Sequence, residues 1–212
     1  IMDLNNNDYI TIGDKKDSNV NIIWFHGYGS NNWSFEPTMK LVNMRLNEEM
    51  HIIIPNAPSV DNKRSWYPLP TTNNKGKLKE DYNGLTNSIN AIDNFIELLN
   101  LEKNKKLIVG GFSQGAALSL SLLFKSKHKI DGCIALSGYM PSANDFESQQ
   151  LKSHEIFIAH GYEDKAISYQ DFQKTLEFLE KKSKRIVKNV GSFGHTITHE
   201  VTDDFIEWLR KI

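Results

Sequence analysis

The sequence reads as an α/β protein whose mainly parallel sheet is covered by helices on both faces. Short apolar runs alternate with helical patterns along all 212 residues. The strand candidates are continuously apolar, as strands buried on both faces are, rather than alternating as half-exposed ones would be. No repeat, low-complexity tract or linker divides the chain, so residues 1–212 are expected to form one domain. A chain of that length can bury about 70% of its unfolded surface.

In chain order, Tyr9–Ile12 is an edge-strand candidate and Asn21–Phe25 a buried one, running into His26-Gly27-Tyr28-Gly29. Phe35–Leu46 places Met39, Val42 and Leu46 at helical spacing. His51–Pro55 is a buried strand stopped by proline. Residues 57–81 show no periodicity and carry Pro58, Pro68, Pro70 and Gly76. A connection this long inside a compact domain is usually functional or disordered, and a mobile substrate-binding loop or lid is expected there. Asn83–Leu99 is an amphipathic helix with Leu85, Ile89, Ile92, Phe95, Ile96 and Leu99 on one face. Strands follow at Lys106–Gly111, Gly132–Ser137, Glu155–Ala159 and Arg185–Val190, and helices at Gln114–Lys125, Tyr169–Lys182 and Thr198–Arg210.

The stretch Gly111-Phe112-Ser113-Gln114-Gly115 joins a strand to a helix and fits the Gly-x-Ser-x-Gly nucleophile elbow. A serine hydroxyl is a poor nucleophile at neutral pH. It needs a base within hydrogen-bond reach and a third group to orient that base. In a parallel sheet such partners lie beyond the carboxyl ends of strands, which sorts the seven histidines. His51, His128 and His154 fall at the wrong end. His26 and His160 each precede glycine at a strand end, where a packed ring bonded to turn backbone is expected. His195 sits in the glycine-flanked loop Gly191-Ser192-Phe193-Gly194-His195 before the last helix, and is preferred as base over His199. The acid should lie between serine and histidine and follow a strand. Asp164 meets both conditions, Glu163 is its near competitor, Asp171 belongs with the following helix, and Asp145 sits well beyond its strand. The oxyanion formed by attack needs two backbone N–H groups. Gln114, at a helix start, supplies one, and Tyr28, between two glycines, is the candidate for the other.

Lysine and arginine number 25 against 26 acidic residues, so no nucleic-acid partner is expected. No apolar run reaches the roughly 20 residues of a membrane span. The first eight residues lack signal-peptide character, and the one cysteine, Cys133, lies in an apolar run. A cytoplasmic protein is expected. Metal chemistry through His195 and His199 has no HExxH pattern behind it, and neither metal nor cofactor is expected.

These motifs together resemble the small carboxylesterase/phospholipase family of α/β-hydrolases, which includes acyl-protein thioesterases and lysophospholipases. The similarity covers Phe25–Gly29, Pro55–Pro58, Ser65–Tyr67, Gly110–Gly115, Leu136–Gly138, His160-Gly161-x-x-Asp164 and Gly194-His195. The resemblance implies the α/β-hydrolase fold. It implies Ser113 as nucleophile, Asp164 as acid, His195 as base, and Tyr28 and Gln114 as oxyanion donors. It also implies that Trp66, Tyr67 and Leu69 contact the acyl chain of an ester or thioester. The family places a proline-containing apolar segment after the acid, where this chain has Lys165-Ala166-Ile167-Ser168. The substrate is thus expected to be a small-molecule, lipid or acylated-protein ester. Aromatic residues beside Lys75, Lys77 and Lys79 make the 57–81 loop a candidate for transient membrane contact. Homodimer formation is left open. The competing reading is a non-catalytic ligand receptor on a hydrolase fold.

Overall fold

The computed structural model describes residues 8–72, 78–141 and 154–212; Lys75, Lys77 and Asp145 lie outside them. The elements are β1 (Tyr9–Ile12), β2 (Val20–Phe25), α1 (Glu36–Arg45), β3 (Met50–Pro55), β4 (Ser59–Val60), β5 (Lys63–Arg64), β6 (Thr71–Thr72) and β7 (Leu78–Lys79). They continue with α2 (Tyr82–Leu99), β8 (Lys106–Phe112), α3 (Gln114–Lys125), β9 (Gly132–Leu136), β10 (Glu155–Gly161), α4 (Tyr169–Glu180), β11 (Ile186–Gly191) and α5 (His199–Leu209).

Seven strands form one sheet in the order β1-β3-β2-β8-β9-β10-β11. Every neighbouring pair is parallel except β1 with β3. The continuous apolarity of the central strands has its reason in the two cores. Ile23, Phe25, Ile53 and Val109 face α2, α3 and α4, while Ile22, Trp24, Ile52 and Ile108 face α1 and α5. Side chains on a strand alternate between faces, so a strand buried on both sides must be apolar at every position. Trp24, Phe157 and Phe205 are almost wholly removed from solvent in the second core, and burial of each such side chain contributes about 1.5–3 kcal/mol.

Helix ends follow local chemistry. The Asp81 side chain accepts from the Gly84 N–H at 2.9 Å to start α2, and Asn100 ends it in the left-handed region (φ 46°). Ser168 and Thr198 cap α4 and α5 in the same way. Among the described residues no helix is long and apolar enough to cross a membrane.

The 57–81 segment differs from the sequence expectation of structureless chain. It holds two short antiparallel hairpins, β4 with β5 and β6 with β7. Asp61 and Asn62 turn the first hairpin with φ of 50° and 60°. Positive φ at both central residues is what a type I′ turn needs, and Asp and Asn tolerate it best after glycine.

Candidate active site

The elbow forms where β8 hands over to α3. Ser113 has φ 56° and ψ −118°, a strained conformation that lifts its side chain clear of both elements. Its N–H donates to the Leu136 carbonyl at 2.9 Å. The flanking glycines are sterically required: a Cβ on Gly115 would lie 2.0 Å from the Phe25 carbonyl oxygen, and one on Gly111 2.5 Å from the same atom.

His195 reaches Ser113 across 82 positions of sequence, its Nε2 lying 3.0 Å from Oγ. Its Nδ1 lies 2.7 Å from Asp164 Oδ2. An ionised carboxylate only accepts, so Nδ1 carries the proton and Nε2 is left to accept from the serine hydroxyl. Asp164 is buried, and its Oδ1 accepts from the N–H groups of Ala166 (2.8 Å) and Ile167 (2.9 Å). The unusual Lys165–Ser168 segment therefore still wraps the carboxylate with backbone donors. Glu163 is exposed, and Asp171 bonds Ser168 at the start of α4.

The two histidines that precede glycine are packed, as expected. His160 closes β10 rather than following it; its Nε2 donates to the Ile167 carbonyl at 2.9 Å and lies 3.5 Å from Asp164 Oδ2. Burial holds its pKa below the ordinary value. His26 is fully buried between the Gly27 carbonyl and the Ala57 N–H, and burial pushes its pKa down to about 4. His199 is exposed at the start of α5. The two nitrogens of His195 are directed at Asp164 and Ser113 rather than toward His199.

Tyr28 lies in the loop after β2. That loop passes beside Ser113: a Cβ on Gly27 would lie 3.5 Å from Ser113 Cβ. The Gly29 N–H donates to the Arg64 carbonyl at 2.8 Å and the Asn32 N–H to Asn56 Oδ1 at 2.8 Å, tying the loop to β5 and to the end of β3. Gln114 is the first residue of α3. A cavity of about 860 Å³ opens beside Tyr28, bordered also by Val60, Trp66, Tyr67, Pro68 and Leu69.

The chain matches the model of the phospholipase/carboxylesterase family over residues 5–212. This chain belongs to that family. Among its relatives, acyl-protein thioesterase 1 of Candida albicans is 29% identical, over 90% of this chain and 91% of the relative. Acyl-protein thioesterase 1 homolog 1 of Dictyostelium discoideum is 33% identical, over 90% and 89%. Among solved structures, Zea mays acyl-protein thioesterase 2 superposes with a TM-score of 0.83 at 21% identity, covering 96% of this chain and 97% of that one. The Bacillus cereus carboxylesterase gives 0.79 at 18% identity, covering 96% and 93%. The fold is that of the α/β-hydrolases, and the protein is a serine ester hydrolase.

In this esterase the expected groove residues border the cavity to different depths. Trp66 and Tyr67 are only 1% and 3% exposed, whereas Tyr28 and Leu69 stand 40% and 45% exposed. The Trp66 indole packs edge-on to Phe25 and donates to the His26 carbonyl at 2.7 Å, so it is a strut beneath the groove. That position also removes Trp66 from any membrane-facing role. The sequence reading missed the Gln114 side chain. Its Oε1 accepts from the Trp66 N–H at 3.0 Å, and its Nε2 donates to the Tyr67 carbonyl at 2.8 Å and to Ser65 Oγ at 3.1 Å. Both Gln114 and the Ser65-Trp66-Tyr67 run stood out in the sequence, but only the fold brings them together. Missed too was a partly buried polar cluster just after β7, in which the Tyr139 hydroxyl donates to Glu80 beside Tyr67. Burial raises the Glu80 pKa.

Proposed function

We propose that this esterase cleaves carboxylic esters or thioesters bearing an acyl chain by a two-step acyl-enzyme route. Ser113 Oγ attacks the carbonyl carbon while His195 Nε2 takes its proton, and Asp164 keeps the ring in the Nδ1–H form and stabilises the imidazolium. The N–H groups of Tyr28 and Gln114 hold the tetrahedral oxyanion, the second helped by the positive end of α3. His195 then returns the proton to the leaving alcohol or thiol. In the second half it deprotonates water, which attacks the Ser113 ester, and it passes that proton to Ser113 Oγ as the acid leaves. The acyl chain lies along the cavity past Tyr28 and Leu69.

One observation carries this reading: the unbroken run of hydrogen bonds from Ser113 through His195 to Asp164, at 3.0 and 2.7 Å. The thioesterase names of the relatives favour a thioester arm of the activity. A fluorophosphonate probe should label Ser113, and Ser113→Ala should abolish both labelling and turnover while leaving the fold intact. Near-native turnover by that variant would sink the assignment, and absence of labelling in the wild type would favour a ligand receptor. Rates on p-nitrophenyl esters of increasing chain length, with one acyl thioester, would read out the substrate preference.

A further inference from the structure

His26 is an odd choice for mere filling. Its ring is completely buried against Trp66, where an apolar side chain would pack without desolvating two nitrogens. Both nitrogens are spent on backbone. The Ala57 N–H points at Nε2 from 3.0 Å, and an amide N–H can only donate, so Nε2 is the bare, accepting nitrogen. The ring proton is therefore on Nδ1, which donates to the Gly27 carbonyl at 2.7 Å.

That carbonyl shares a peptide unit with the Tyr28 N–H. In a planar trans peptide the oxygen and the hydrogen point in opposite directions. Whatever holds the Gly27 oxygen toward β2 also aims the Tyr28 N–H away from it. The same oxygen accepts from the Ser30 N–H at 3.1 Å, closing a turn, but that turn moves with the loop. His26 does not, since its own carbonyl is held by Trp66 and its Nε2 by the end of β3.

We propose that His26, kept in its Nδ1–H form by the Ala57 N–H, is a positioning residue that aims the Tyr28 N–H at the oxyanion. The proposal rests on Ser113 being the nucleophile and Tyr28 an oxyanion donor. His26 acts through the peptide it holds and touches no substrate. The low pKa of about 4 set by burial agrees with a ring that stays neutral wherever the enzyme works.

Two measurements test this. In the wild-type protein with 15N-labelled histidine, the ring shifts of His26 should show a protonated Nδ1 and a bare Nε2 at pH 7. The His26 signals are assigned by their loss in His26→Asn. Kinetics then separate positioning from packing, because an Asn amide reaches the place of Nδ1 and a Gln amide that of Nε2. His26→Asn keeps the bond to Gly27 and should stay within a few-fold of wild-type kcat. His26→Gln keeps only the tie to Ala57 and should lose about ten- to a hundredfold in kcat at little-changed KM, part of the ~10²–10³ that removing a whole oxyanion donor costs. Rates are normalised to folded protein by tryptophan-fluorescence melts. The proposal is overturned by an Nε2–H ring, by His26→Gln matching or exceeding His26→Asn, or by a loss confined to KM. Should neither variant fold, the wild-type tautomer decides alone. If Ser113→Ala keeps its turnover, the reading of the site fails whatever His26 does. If Ser113 is essential and the Asn–Gln order is reversed, only this inference fails.

Discussion

Acidification should destabilise this protein through His26, by an amount that can be worked out. In the unfolded chain the ring titrates near 6.5, whereas in the folded protein burial pushes it down to about 4. Between those values the unfolded chain takes up a proton that the folded one refuses. The stabilising contribution is therefore complete above pH 6.5 and is lost as pH falls toward 4. At about 1.36 kcal/mol per pH unit, the loss reaches about 2 kcal/mol by pH 5 and about 3 kcal/mol by pH 4. His51, His154 and His160 are lowered by burial too and act with the same sign, while the raised Glu80 acts against them. The comparison that isolates His26 is wild type against His26→Asn, in urea unfolding at pH 7.5, 6, 5 and 4.5. The free energy of the wild type should fall more steeply than that of the variant, with the gap between them narrowing by about 2 kcal/mol between pH 7.5 and 5. Parallel lines over that window would refute the reasoning, because they would mean that the ring titrates alike in both states.

Three further outcomes follow from the geometry. His195→Ala should cost on the order of 10⁴-fold or more in kcat, while His199→Ala, at an exposed helix start, should be mild; comparable losses would show that the wrong histidine was chosen as base. Gly115→Ala puts a methyl group 2.0 Å from the Phe25 carbonyl, so it should lower the melting temperature and turnover together; an unchanged melting temperature would contradict the tight crossing of β2 and α3. Trp66→Ala should destabilise the fold by about 3–5 kcal/mol in urea unfolding, and a variant of wild-type stability that had lost only liposome sedimentation would restore Trp66 to the surface.

Much of the architecture was legible because burial on two faces leaves a plain mark. Ile52-Ile53-Ile54 and Leu107-Ile108-Val109 admit few placements other than central strands, and observed bounds fall within a residue or two of those expected. Exceptions arise where pairing, not composition, sets the end. β10 continues through His160 and Gly161 because they pair with Val190 and Gly191 of β11. The hairpins within 57–81 escaped notice because two-residue strands have no period to detect, and only Asp61-Asn62 hinted at a turn.

For the site, the division follows the range of the forces involved. The elbow is local: strand, two glycines and helix start lie within a few residues, so Ser113 could be singled out from sequence order alone. Order along the chain also put Asp164 and its neighbour Glu163 ahead of Asp145 and Asp171, and His195 ahead of His199, since parallel strands send their exits to one end of the sheet. Residue order could not say which side chains the core would claim. Trp66 has the composition of a groove residue, and only packing against Phe25 and the His26 carbonyl made it a strut. The same holds for the Gln114 side chain, His160 beside Asp164, and the ring of His26 between Gly27 and Ala57. Each depends on a hydrogen bond or contact between segments far apart in sequence or on a direction in space, and such directions exist only once the sheet has closed.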